Sequence, residues 1–96
     1  MNKKQWKEVK KEGEAINLEM AELMHLPPES AVVQKLVKRH YAWIENFWTP
    51  TAETYKGLGR GYAENPELRE FYDKYKTGLA DFICAAMEYY ADNHLK

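Results

Sequence analysis

The chain has one cysteine, Cys84, in 96 residues. No internal disulfide can form, and a reducing cytoplasm is the expected compartment. No apolar run approaches the roughly 18 residues that span a bilayer, and no signal-peptide pattern opens the chain, so no membrane association is expected. A surplus of one charge is also lacking. Fourteen basic residues stand against fifteen acidic ones, for a formal charge of −1 and a pI near 6.3. A nucleic-acid-binding module shows a basic face, so direct contact with nucleic acid is not expected. The one basic stretch, Lys3, Lys4, Lys7, Lys10 and Lys11, is interleaved with Glu8, Glu12 and Glu14 and reads as a solvated helix face.

Chemistry is equally sparse. His25, His40 and His94 fall in different segments, without the spacing of a metal-binding pair, and no carboxylate joins them in a ligand motif. Cys84 has no CxxC partner and no nucleophile pattern around it. Gly57-Leu58-Gly59-Arg60-Gly61 lacks the preceding strand and the spacing of a phosphate loop. No segment combines the basic surface and tight turn of a helix–turn–helix. No enzyme, metal or cofactor is therefore expected.

What the chain does have is rings. Three Trp, seven Tyr and three Phe make 14% of it, more ring surface than a core of this size needs. Two readings stay open: a Tyr-rich core with its hydroxyls in water, or the lining of a ligand pocket. The length suits one core, so residues 1–96 are expected to form a single domain, with residues 1–25 as an N-terminal helix and 30–96 as a helical core.

Apolar residues recur every three or four positions and rarely alternate, which predicts an all-α fold of about five helices. The first, about Lys3 to Met24, carries Trp6, Val9, Gly13, Ile16, Met20 and Leu23 in a 3,4,3,4,3 series. This is a narrow seam suited to a neighbouring helix or to a second copy in a homodimer. Leu26-Pro27-Pro28 ends it. Ser30 caps a second helix, about Ala31 to Trp48, whose buried face reads Val33, Leu36, Val37, His40, Ile44 and Phe47. Thr49-Pro50-Thr51 precedes a third, about Ala52 to Ala63, with Tyr55, Leu58 and Tyr62 on one face. Its three glycines imply either close helix packing or a yielding wall at a ligand entrance. Asn65-Pro66 is a cap followed by proline at the first helical position. It starts a short fourth helix, to about Lys74, expected to bury Leu68, Phe71 and Tyr72. The last helix, about Leu79 to Asn93, presents Leu79, Phe82, Ile83, Ala86 and Tyr90 on one stripe. His40 is the single imidazole on an otherwise apolar face, either satisfied within the core or part of a pocket.

An ordered series of short motifs resembles the TipAS antibiotic-recognition domain family. It runs His40-Tyr41-Ala42-Trp43-Ile44, Phe47-Trp48, Tyr55-Lys56-Gly57-Leu58-Gly59, Tyr62-Ala63-Glu64-Asn65-Pro66, Phe71-Tyr72-Asp73, Gly78-Leu79-Ala80 and Tyr90-Ala91. The resemblance covers about Ser30 to the C-terminus, with a less distinctive likeness at the Trp6 helix. It implies a haem-free, globin-like helical fold with a deep cleft, usually joined to a preceding MerR-type DNA-binding domain, so that DNA would be contacted only through that other domain. It also implies bulky peptide-like ligands, thiopeptides among them, whose capture switches on multidrug-resistance genes or sequesters the drug. Some family members trap their ligand covalently through a cysteine of the third helix. Here the corresponding position is about Gly57 and Cys84 lies on another helix, so reversible binding is expected.

Residues expected to line the cleft are His40, Trp43, Ile44, Phe47, Trp48, Tyr55, Leu58, Tyr62, Phe82 and Tyr89. The expected function is the effector-binding domain of a MerR-family regulator. Its rivals are a stand-alone drug-sequestering protein and a helical interaction module.

Overall fold

A computed structural model describes residues 2–95. Five α-helices and no strand occur among them: α1 (Lys3–Glu22), α2 (Ala31–Ile44), α3 (Ala52–Glu64), α4 (Pro66–Asp73) and α5 (Leu79–His94). The all-α architecture and the helix count match the sequence reading.

Local chemistry explains the starts. Asn2 and Gln5 form a capping box on α1, the Gln5 amide donating to Asn2 Oδ1 at 2.8 Å. Ser30 Oγ accepts from the Val33 amide, Thr51 and Thr54 cap each other's backbone, and Asn65 Oδ1 accepts from the Glu67 and Leu68 amides ahead of Pro66. Before α5, Gly78 sits at φ 93°, a left-handed turn that glycine adopts without strain. The first turn of α5 is capped from α4, because Asp73 Oδ1 accepts from the Ala80 amide at 3.0 Å.

One expected end is corrected. α2 stops at Ile44, not at Trp48. The Asn46 amide and its side-chain Nδ2 both donate to the Trp43 carbonyl, at 3.1 and 2.9 Å, and the Phe47 amide donates to Ile44 O at 2.9 Å. These i→i+3 bonds tighten the chain into a turn, and an asparagine side chain competing for helix carbonyls favours such an ending. Phe47 and Trp48 thereby leave the helical face and are exposed.

The core is shared by all five helices. Ile16 and Met20 of α1, Val33 and Val37 of α2, Tyr55 of α3, and Leu79, Ile83 and Met87 of α5 are all but inaccessible, and Tyr72 of α4 is buried beside them. α3 and α5 pair most extensively, with α2 crossing α5 and α1 lying on α2. Gly59 lies at a close approach of α3 and α5: a Cβ there would stand 3.5 Å from the Cys84 Cα. Gly57 and Gly61 face open space. Of the two readings of the glycines, Gly59 supports packing, and none of the three borders the ring-lined cleft described below.

Two further burial expectations are corrected. Leu68 and Phe71 of α4 are exposed, so the short helix buries only Tyr72. The α1 seam divides at its middle: Gly13, Ile16 and Met20 are buried, whereas Trp6 is 52% exposed. Trp6 and Phe71 share one cause: α1 and α4 are not among the extensively packed helix pairs, and both residues line a gap between them.

Candidate functional site

That gap is a cleft of about 280 Å³. α1 supplies one wall with Trp6, Val9, Lys10, Gly13, Glu14 and Asn17; helical spacing brings these onto one face. His40, Trp43 and the post-helical Phe47 form the second wall, and Phe71, Tyr72 and Tyr75 the third. The rings meet edge to face. Trp43 and Phe47 lie 5.2 Å apart, Trp6 and Phe47 6.4 Å, and Phe71 and Tyr72 5.1 Å. This is a preferred geometry of aromatic pairs. Lys10, Glu14 and Asn17 add polar groups on the α1 side, with the His40 imidazole on the α2 side. An apolar lining with few polar groups is the usual construction of a small-molecule site.

Trp43 is the best-anchored ring. Gly13 lets it approach the α1 backbone, since a Cβ on that residue would fall 2.7 Å from Trp43 Cζ2. Its indole Nε1 donates to the Val9 carbonyl at 2.6 Å. One turn back on α2, Arg39 reaches Glu12 at 2.8 Å and Glu19 at 2.7 Å. The hydrogen bond from Arg39 holds the Glu12 carboxyl below the usual range, and the bonds to Glu12 and Glu19 raise Arg39. α1 is thus held to α2 by one indole hydrogen bond, a forked ion pair and the Gly13 contact.

His40 lies at the back of the cleft. It is 4% exposed, with Nδ1 2.7 Å from the hydroxyl oxygen of Tyr55, itself inaccessible. Burial pushes the imidazole down to about 4, so the ring is neutral at physiological pH. Burial also raises Tyr55 far above the ordinary tyrosine range. A neutral hydrogen-bonded pair therefore sits behind the rings.

The structure brings three of the ten expected lining residues, His40, Trp43 and Phe47, to this cleft. Ile44, Tyr55 and Tyr62 are buried in the core, with Tyr55 reaching the site through His40 and Tyr62 tilted against Tyr72 at 4.5 Å. Leu58 and Phe82 pack against the core between α3 and α5, and Trp48 and Tyr89 are exposed elsewhere. Trp6, Val9, Gly13, Phe71, Tyr72 and Tyr75 complete the cleft without having been singled out for it, although Trp6 and Phe71 were visible as large apolar residues in helical register.

Cys84 does not border the cleft. Burial and the neighbouring Glu88, 3.5 Å from the sulfur, push its thiol up to about 11, which is the wrong direction for a nucleophile. No group of three or more His, Cys, Asp or Glu residues is placed to hold a metal among the described residues, and no helix is long and apolar enough to cross a membrane. A second groove, of about 650 Å³, runs between α1 and α2 past Glu19, Glu22, Lys35 and Lys38. It is larger but more open, its rim is charged, and no ring lines it.

Comparison with known proteins agrees with this architecture. The chain is 34% identical over 93 residues to the HTH-type transcriptional regulator SkgA of two strains of Caulobacter vibrioides, NA1000 / CB15N and ATCC 19089 / CIP 103742 / CB 15. The match takes in 93% of this chain and 36% of the regulator, so the chain spans about a third of those relatives' length. No solved structure matches. The family model of the TipAS antibiotic-recognition domain matches residues 1–90, and with the five-helix fold already described, the chain belongs to the TipAS antibiotic-recognition domain family.

Proposed function

We propose that this chain is the effector-binding domain of a cytoplasmic transcription regulator of the MerR kind, and that it takes a bulky, largely apolar or peptide-like compound into the cleft between α1 and α4. The observation that carries the reading is the convergence of Trp6, Trp43, Phe47, Phe71, Tyr72 and Tyr75 on one cavity backed by a neutral His40. Family membership supports an antibiotic as ligand, for which the motif resemblance suggests the thiopeptide class, and the helix–turn–helix regulator among the relatives supports a role in transcription. DNA would be contacted by another domain of such a regulator.

Binding without chemistry suffices for this role. Covering ring and aliphatic surface contributes about 25 cal/mol per Å² before association costs are subtracted. A ligand moves a regulator only as far as it prefers one arrangement over another. Here the adjustable wall is α1, whose first half contributes Trp6 and Val9 to the cleft yet buries no residue of its own. Covalent capture forms no part of the proposal, because Cys84 is remote from the cleft and its thiol is held protonated. The interaction-module reading loses its main support, since Ile16 and Met20 of the seam are 1% exposed and serve this chain's own core.

Tryptophan fluorescence titration against a panel of thiopeptides and other peptidic antibiotics tests the proposal. Saturable quenching is expected, reduced in Trp6→Phe and retained in Trp48→Phe. A flat response from the folded wild-type chain across the panel would defeat it. Tight binding with no effect on transcription from a promoter carrying the joined regulator would favour sequestration.

A further inference from the structure

We infer that the ligand of this cleft carries a hydrogen-bond acceptor on an otherwise flat apolar body, received by the Nε2–H of His40, and that Tyr55 fixes His40 as a donor. The inference rests on the binding role proposed above and deepens it to a class of ligand.

The tautomer follows from the partners available. The Tyr55 hydroxyl is inaccessible, and its single hydrogen bond among the described residues is the 2.7 Å contact with His40 Nδ1. A neutral imidazole carries one hydrogen, on one of its two nitrogens. If that hydrogen were on Nδ1, it would be donated to the Tyr55 oxygen, and the hydroxyl hydrogen would be buried with no acceptor. If it is on Nε2, the hydroxyl donates to Nδ1 and nothing is left unpaired at that end. Buried polar hydrogens are rarely left without an acceptor, so the second arrangement holds.

Nε2 then has a hydrogen to donate and no protein group to take it: no hydrogen bond of this atom occurs among the described residues. It is not sealed in the core either. The residue keeps 4% of its surface exposed and lines the cleft. The ring is tilted against Trp43 at 6.0 Å and meets Tyr62 edge-on at 6.3 Å, and its Nδ1 is held by the Tyr55 hydroxyl. Burial keeps it uncharged, which argues against recognition by charge and for a neutral acceptor such as a carbonyl oxygen or a ring nitrogen. A ligand that offers only N–H at this depth sets donor against donor. Sites with a fixed polar group discriminate strongly against partners that leave it unpaired.

Two readouts test this on the folded chain at neutral pH. The first uses no ligand. Nitrogen-15 NMR of the histidine rings is expected to show His40 protonated at Nε2 and bare at Nδ1, with the pattern becoming mixed in Tyr55→Phe. A His40 protonated at Nδ1 in the wild-type chain overturns the inference at once. The second compares three bicyclic probes of similar size, quinoline (acceptor), naphthalene (neither) and indole (donor), by chemical-shift titration at Trp43, Phe47 and Tyr72. Quinoline should bind about three- to tenfold more tightly than indole, the range a single neutral hydrogen bond supplies, and should shift the His40 Nε2–H signal. Indole binding as tightly as quinoline, with the same cleft signals moving, overturns the acceptor class and leaves the binding role standing. Silence from all three probes overturns the acceptor class, while the binding role stands or falls separately on the peptidic-antibiotic titration.

Discussion

Gly13 and Gly57 occupy helix interiors, where replacing glycine by alanine ordinarily stabilises by about 1 kcal/mol. Their surroundings separate them. At Gly57 an added Cβ meets nothing within 4 Å, whereas at Gly13 it meets the Trp43 ring at 2.7 Å. Gly57→Ala should therefore raise stability by roughly 0.5–1 kcal/mol. Gly13→Ala should lower it by about 1–3 kcal/mol, because overpacking exceeds the propensity gain, and should shift the Trp43 emission. Urea denaturation of the two variants checks both signs. His40 makes a second residue-scale prediction. The folded chain keeps its imidazole neutral down to about pH 4, while an unhindered histidine takes its proton near 6.5. Between those values the unfolded state binds more protons, so stability is fully present above about 6.5 and is lost as pH falls towards 4. The loss is on the order of 3 kcal/mol over that window. Denaturation at pH 7.5, 6 and 4.5 should show the decline, and His40→Gln should flatten it. A wild-type chain equally stable across the window would contradict the burial of this ring.

At the scale of the helix, sequence chemistry explains starts better than ends. Ser30 and Asn65 cap the helices they were read to cap, and Thr51 caps α3 in the same way, because a capping side chain acts on amides two or three residues away. The end of α2 was hidden because Phe47 and Trp48 continue the apolar spacing that defines its face; only Asn46 signals the turn, and asparagine alone is a weak stop. α1 shows the converse. Its seam is regular through six positions, yet whether Trp6 is buried depends on what stands opposite, and opposite Trp6 is a cleft. α1 should accordingly be the least secure element at its N-terminal end. Arg39 is more than a third exposed, so its ion pairs with Glu12 and Glu19 contribute roughly 0.5–1 kcal/mol after screening. Arg39→Met should accelerate amide hydrogen exchange through α1 severalfold while leaving α3 and α5 unchanged. Uniform acceleration in all five helices would mean that α1 is not a separately yielding wall.

At the scale of the whole molecule, the site was legible where one helix builds it and illegible where three helices do. His40 and Trp43 project from α2 and Phe47 from the turn after it, and the helical spacing and ring-rich motifs of that stretch marked it. Tyr55 and Tyr62 have the same ring chemistry, but the broad contact between α3 and α5 spends them on the core. Trp6, Phe71, Tyr72 and Tyr75 join the cleft because α1 and α4 are held apart across it, a relation that no periodicity within either helix encodes. Family resemblance supplied the expectation of a cleft; the packing decides which rings face it. The most direct test follows the three tryptophan indole N–H signals by NMR as a thiopeptide is added to the folded chain. Trp6 and Trp43 are predicted to shift together and saturate while Trp48 stays still. Movement of Trp48 with Trp6 and Trp43 unmoved would place the ligand elsewhere and contradict the cleft between α1 and α4 as the binding site.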